Sequence, residues 1–399
     1  MKIIKKIGPA IFFIFFFLLS YRKFFLSPGT LGHNWDWVFP NLSVFFANFN
    51  RLNLYTWNTF NLGEISHLTL SHLIPASLFT FLSGFVSPHW LELGFLLAVH
   101  VASFLSFKRF LTFISGYSSS LHFLPAFLYA FSPFLFNDII GGSYVMWLSY
   151  GFLPLYFTSL INFIREGKNK NLVVLTVVSV FVIVSLQHFV LINAVAVAYL
   201  AWERIFGEIK KPLPVIIKRF LFFAGVEILT NLYWLLPLGY SLVDFTKGAV
   251  LKDSGMYEFD SVRFSQQSLW NIFNLAGYLD RNMYLFSLPE ALKILFPVAT
   301  GFLWLIIFYA LTKKGNFKKS GSFCFWLFLF LLTAFLVKGG NRPFPDATLW
   351  LYQHLPFMRM FRSPQHLMAL PAFILPVLLS FALFYFPQKK ILAAVFFAL

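Results

Sequence analysis

The stretch LVVLTVVSVFVIVSLQHFVLINAVAVAYLAW, Leu172 to Trp202, decides how this chain folds. It runs 31 residues without a Lys, Arg, Asp or Glu. As one helix rising 1.5 Å per residue it would be about 46 Å long, against an apolar bilayer core of about 30 Å. A basic cluster flanks each end: Arg165 to Asn171 (REGKNKN) before it and Lys210-Lys211 after it. A single span would put the two clusters on opposite sides of a membrane. Two short arms turning near Gln187-His188 keep them on the same side. The spacing therefore predicts a helical hairpin, with arms short enough to thin the bilayer or to sit inside a bundle.

Working outward, the rest of the chain reads the same way. Of 399 residues, 59% are hydrophobic and 12% charged, whereas a soluble domain carries about 25% charged residues. The expected fold class is all-α: a polytopic transmembrane bundle of about 11 helices. They are expected at 7–26, 88–106, 121–136, 143–164, 172–186, 190–203, 220–240, 289–311, 323–337 and 367–386, with one more beginning at 391. MKIIKK followed by an apolar run resembles a signal peptide. No small-x-small cleavage site follows it, so it reads as an uncleaved first helix. His67 to Val86 holds Pro75, His67 and His72 and reads as an interfacial or re-entrant helix on the outer side. Cys324 is the one cysteine, which excludes an internal disulfide and a thiolate metal site. The whole of 1–399 reads as one domain. Its outer parts are a first loop with the interfacial helix (22–87) and loops at 241–288 and 338–366. Only nine residues follow Lys390, too few to span, so more chain is expected beyond residue 399.

The net charge of +16 would suggest nucleic acid in a soluble protein. Here topology accounts for it, and no nucleic-acid partner is expected. With the N-terminus in the cytoplasm, the inner stretches hold 19 Lys and Arg in 59 residues, and the outer ones 11 in 131. That is the asymmetry of the positive-inside rule. The expected location is the plasma membrane, multi-pass, with a working face outside the cytoplasm.

The outer loops concentrate the chemistry. Pro28 to Glu64 reads PGTLGHNWDWVFPNLSVFFANFNRLNLYTWNTFNLGE. Asp36 sits between Trp35 and Trp37 after His33-Asn34, and the stretch closes with Trp57, Asn58 and Glu64. An inverting sugar transfer needs one base for the acceptor proton and a way to neutralise the leaving phosphate. Asp36 fits the first need. The tryptophans offer stacking faces, and His33, Asn34 and Asn58 offer hydroxyl partners. The alternative is an interfacial aromatic belt with a helix-capping Asp. Phe357 to Leu367 (FMRMFRSPQHL) places Arg359 and Arg362 one helical turn apart, suited to a phosphate at membrane depth. His366 stands beside them, and Arg342 and Lys338 are weaker candidates. Plain anchoring to headgroups is the alternative. Asp138, in NDIIGGSY, reads as a residue of a short outer turn that either faces the same cleft or only makes the turn. Asp253, Glu258 and Asp260 leave a divalent cation (Mg, Mn or Ca) open as a cofactor, without the ligand alternation of a calcium loop. Glu92, His100 and Glu227 fall inside expected helices, where an ionisable residue is a functional hypothesis by default. No dinucleotide, P-loop, zincin or nucleophile-elbow motif is present.

Asp36 with Pro40, Trp57-x5-Gly63, the run Phe131 to Leu155 and LPFMRMFRSPQH together resemble the GT-C superfamily of polytopic glycosyltransferases. The likeness is nearest to the arabinofuranosyltransferase-like membrane proteins and their prokaryotic relatives. It implies transfer of a sugar from a polyprenyl-phosphate donor to a cell-envelope glycan, glycolipid or glycoprotein, with inversion. In that family an acidic residue of the first outer loop is the base, which corresponds to Asp36. Many members carry a paired Asp there and this chain has one. The expected partners are the lipid-linked donor, a glycan or lipid acceptor, and membrane lipids. A lipid or polysaccharide transporter and a non-catalytic glycan-binding scaffold are the rival readings.

Overall fold

The computed structural model describes residues 2–26, 73–116, 120–141, 144–206, 211–247, 267–276, 290–312, 321–355 and 364–384. Every regular element among them is helical. In chain order these are α1 (Lys2–Ser20), α2 (Arg22–Leu26), α3 (Leu73–Ser83), α4 (Pro88–Ser115), α5 (Phe123–Ala130), α6 (Pro133–Gly141), α7 (Tyr144–Glu166) and α8 (Asn169–Val182). Then come α9 (Leu186–Ile205), α10 (Leu213–Thr230), α11 (Leu232–Lys247), α12 (Leu269–Phe273), α13 (Glu290–Thr312), α14 (Gly321–Val337), α15 (Pro345–His354) and α16 (Ala369–Phe384). The described part is an α-helical bundle. Among the described residues two helices, α4 and α9, are long and apolar enough to cross a membrane by length and composition.

The hairpin is present. Its arms are α8 and α9, and it turns at Ile183 to Ser185, a few residues before Gln187-His188. Ser185 moves the turn: its Oγ accepts the His188 N–H (3.3 Å) and caps α9, a bond that neither Gln187 nor His188 can supply from within the helix. The expected span at 121–136 is two helices. Pro133 has no N–H to give, so α5 stops at Ala130, and Ser132 Oγ caps α6 by accepting the Leu135 N–H (3.2 Å). The span expected at 220–240 is also divided, at Asn231. The helix expected at 88–106 continues to Ser115, where Gly116 closes it in a left-handed conformation (φ 75°). Lys108 and Arg109, expected in a loop, therefore lie on α4. At 11 residues, α3 is about 16 Å long and too short to span. It packs Phe79 against Phe95 and Tyr144. The helix expected from 391 lies outside the described residues.

At the centre stands α16, buried from Leu370 to Leu379, as a helix apolar on every side must be. Its Phe373 ring meets Phe107, Phe110, Tyr129, Phe157 and Trp326 at centroid distances of 5.2 to 5.9 Å. The remaining pairings fix helix direction. α4 and α7 run parallel, through Phe95–Trp147, Ser106–Gly151 and Phe113–Arg165. α1 opposes α4 through Phe13–Phe104, Phe17–His100 and Phe24–His89. α9 runs with α7, while α10 runs against it. α14 opposes both α9 and α16. These directions gather Lys108, Arg109, Arg165, Lys168, Lys170, Arg204, Lys211, Lys218 and Arg219 at one end of the bundle, with only Glu166 and Glu203 as described acids. Both acids are paired, with Lys168 and Arg165 at 2.9 Å.

At that end α7 closes on Gly167, left-handed at φ 73°. Arg219 from α10 donates to the carbonyls of Ile164 (2.7 Å) and Arg165 (3.1 Å), which the helix leaves open. A Cβ on Gly167 would stand 2.5 Å from the Arg219 guanidinium. Gly167→Ala is expected to cost about 1–2 kcal/mol from the left-handed backbone alone, and more from displaced Arg219. A thermal midpoint equal to wild type would show that this cap is dispensable.

Candidate functional site

Of the expected site residues, Asp138, Lys338 and Arg342 are described, and they lie at the end of the bundle opposite the basic one. His33, Asn34, Trp35, Asp36, Trp37, Trp57, Asn58, Glu64, Arg359 and Arg362 lie outside the described residues, as do Asp253, Glu258 and Asp260. So does the side chain of His366, whose backbone lies in a 3-10 turn, Pro364–Met368, leading into α16. Among the described residues no cluster of three His, Cys, Asp or Glu could hold a metal ion.

Asp138 departs from expectation. It sits on α6 rather than in a turn, because Pro133 and the Ser132 cap start a helix that Gly141 ends. Its residue is buried, at 4% exposure. Glu92, one turn into α4, is likewise buried and does not reach the interface. Arg342 is exposed, in the turn between α14 and α15, and has no carboxylate partner among the described residues.

Lys338 has another occupation. It follows α14 directly and is 1% exposed. Its Nζ donates to the carbonyls of Gly339 (3.1 Å), Asn341 (3.1 Å) and Phe344 (3.4 Å) and to Thr348 Oγ1 (3.0 Å). It also lies 4.5 Å from the Phe335 ring centroid. Three protons serve four acceptors, so none is left for a phosphate. Desolvation by burial pulls its pKa below the ordinary lysine value. The ammonium holds a turn in which Phe344 adopts φ 58°, a conformation that costs a non-glycine residue about 1–2 kcal/mol.

A second segment is tied to this turn. Gln267 donates its N–H to Val337 O (3.2 Å), and Asn341 Nδ2 donates to Gln267 O (3.0 Å). Ser268 caps α12, and the Phe273 ring sits between Trp304 (4.8 Å) and Phe330 (5.6 Å). Trp304 Nε1 donates to Phe273 O (3.0 Å). The docked segments form a platform that leaves Trp270, Phe344 and Trp350 exposed, with one face of Trp350 stacked on His354 at 4.6 Å. Exposed aromatic faces next to charged groups can stack on sugar rings and bind their hydroxyls. The sequence pointed to Arg342 and Lys338, to Trp270 as a cleft-lining candidate and to Asp346 as an outer-loop acid, but not to Phe344 or Trp350. The aromatic spacing Trp270, Phe344, Trp350 carries no local signal, since the platform forms only when two distant segments dock.

The intrahelical ionisable residues divide by their partners. His100 Nδ1 lies 2.6 Å from Ala130 O, and Nε2 lies 2.8 Å from Tyr21 Oη. A carbonyl only accepts, so Nδ1 carries the proton and Nε2 accepts from Tyr21. The ring stacks on Phe131 at 4.6 Å; His100 is a clamp between α1, α4 and α5. Glu227 is 0% exposed. Its carboxylate accepts from Tyr156 Oη (2.6 Å) and Asn193 Nδ2 (3.1 Å). Asn231 Nδ2 donates to the Glu227 carbonyl (2.9 Å), and Trp234 Nε1 donates to Asn231 Oδ1 (3.0 Å). This polar node joins α7, α9, α10 and α11 deep in the bundle. Asn193 in an apolar helix was the signal for it.

No family model, curated protein or solved structure matches the chain.

Replacing Lys338 with Met is expected to leave several buried carbonyls short of a donor. At about 1–3 kcal/mol per unpaired group, the loss of stability is about 3 kcal/mol. Thermal unfolding and limited proteolysis between residues 338 and 348 measure it. An unchanged midpoint with no new cleavage would refute the structural role given to this ammonium.

Proposed function

We propose that this chain is a multi-spanning membrane glycosyltransferase. The basic end faces the cytoplasm, and the end bearing Arg342 and the aromatic platform faces the outside. The observation that carries the membrane part is the gathering of cations, in excess of the described acids, at one end of a bundle whose flanks expose Val173, Val177, Leu221, Phe222, Leu305 and Phe328. A belt of that kind has a cost in water and none in lipid. The transferase part is supported by the resemblance carried by Asp36 and by Phe361 to Pro364, together with the exposed Trp270, Phe344 and Trp350. In this reading Asp36 takes the acceptor proton, Arg359 and Arg362 hold the polyprenyl phosphate, and the exposed aromatics frame the acceptor glycan.

The transporter reading gains one specific observation, the buried Glu227–Tyr156–Asn193 node, since a transport path uses ionisable groups at depth. The two readings part on one variant series. Transfer from a polyprenyl-phosphate sugar is measured in nanodiscs for wild type, Asp36→Asn and Glu227→Gln. The transferase reading expects loss of at least about a hundredfold for Asp36→Asn, the range of general-base catalysis, with donor binding kept. Full transfer by Asp36→Asn refutes the base assignment. No transfer by wild type, with substrate flux into proteoliposomes lost in Glu227→Gln, favours the transporter.

A further inference from the structure

Between α4 and α7, at the basic end, lies an open groove of about 440 Å³. The two helices run parallel and touch at Gly151: Ser106 Oγ donates to Gly151 O (2.8 Å), and a Cβ there would sit 3.4 Å from Ser103 Oγ. Further along, Arg165 lies over the Phe113 ring at 5.1 Å. The space between is lined on α4 by Leu105, Lys108, Arg109 and Phe113, and on α7 by Asn162.

The chemistry of that lining is one-sided. The two hydroxyls in the wall, Thr112 and Thr158, donate to the carbonyls of Lys108 (3.0 Å) and Pro154 (2.8 Å). The donors left are Lys108, Arg109 and Asn162, and none of these has a hydrogen bond or carboxylate partner among the described residues. The two described glutamates of this end are held by Arg165 and Lys168. The rest of the wall is apolar, and Leu105, 58% exposed, borders the outer flank of the bundle. An anion with an apolar extension meets all of this. A free phosphate would leave the apolar wall unused.

We infer that this groove binds the phosphate headgroup of an anionic glycerophospholipid. Lys108, Arg109 and Asn162 meet the phosphate, and the acyl chains leave past Leu105. The inference rests on the membrane part of the proposed function and not on glycosyl transfer. It accounts for two cations on the last turns of a helix rather than in a loop, where topology alone would be served equally well.

The full chain is reconstituted in nanodiscs of phosphatidylcholine with a minority of phosphatidylglycerol, and lipid kept on the protein is counted by native mass spectrometry. Wild type is expected to retain phosphatidylglycerol selectively. Lys108→Gln with Arg109→Gln is expected to bind it about thirtyfold more weakly, which is about 2 kcal/mol at 1.4 kcal/mol per tenfold. Lys168→Gln with Lys170→Gln removes the same charge from the exposed start of α8 and is expected to change retention little. Lys108→Arg with Arg109→Lys keeps both charges and is expected to keep binding, so a folding defect in the first pair is told apart from a lost contact. Equal loss in both Gln pairs would reduce the site to general surface charge and overturn the inference. So would competition by inorganic phosphate at equal concentration, which would mean a phosphate site without a lipid. A chain recovered outside the nanodiscs would instead defeat the membrane reading itself.

Discussion

The bundle depends on a rule that apolar surroundings enforce: a broken helix must find partners for the carbonyls it frees. Each break here is repaired by a side chain, and α7 supplies most of the repairs. Where α5 stops, the Tyr150 hydroxyl donates to Tyr129 O while the Tyr129 hydroxyl donates to Tyr150 O. The two rings stack at 4.1 Å. Where α8 stops, Ser149 Oγ donates to Val182 O at 2.7 Å. Where α10 gives way to α11, Asn231 donates to Glu227 O. Breaks that would be costly in isolation become points where helices are cross-linked.

The same rule explains why the interior is polar in a few places and aromatic elsewhere. His100, Glu227 and Lys338 are each buried, and each is surrounded by groups that complete its hydrogen bonds. Around them Phe, Tyr and Trp fill the space, with Phe373 at their meeting point. Phe in such numbers supplies volume, and the rare polar groups supply register.

Much of the helical order was legible in the sequence, because apolar periodicity and flanking charge are local signals. The hairpin within 172–202 could be read from length and the two basic clusters, whereas the break at 131–133 was missed although Pro133 marks it. The turn at Ser185 was missed by a few residues because a capping serine is a weaker mark than Gln-His. Asn231 was not read as a break, since one amide in an apolar run looks like a tolerated residue until Trp234 and Glu227 are seen beside it. Asp138 was misread because Gly-Gly suggests a turn while Pro133 and Ser132 upstream start a helix. Lys338 looked like an available cation. Its carbonyl partners come from a chain reversal that no spacing announces.

The cage around Lys338 makes the turn beneath α15 behave as a latch. One ammonium shares three protons among four acceptors, so losing one bond still leaves a partner for every proton, and losing a second leaves a donor unpaired in a buried place. α15, with its exposed Trp350, must therefore stay docked or release as a unit, and release requires water to enter the cage first. Motion of the aromatic platform is thus tied to hydration at a single buried charge.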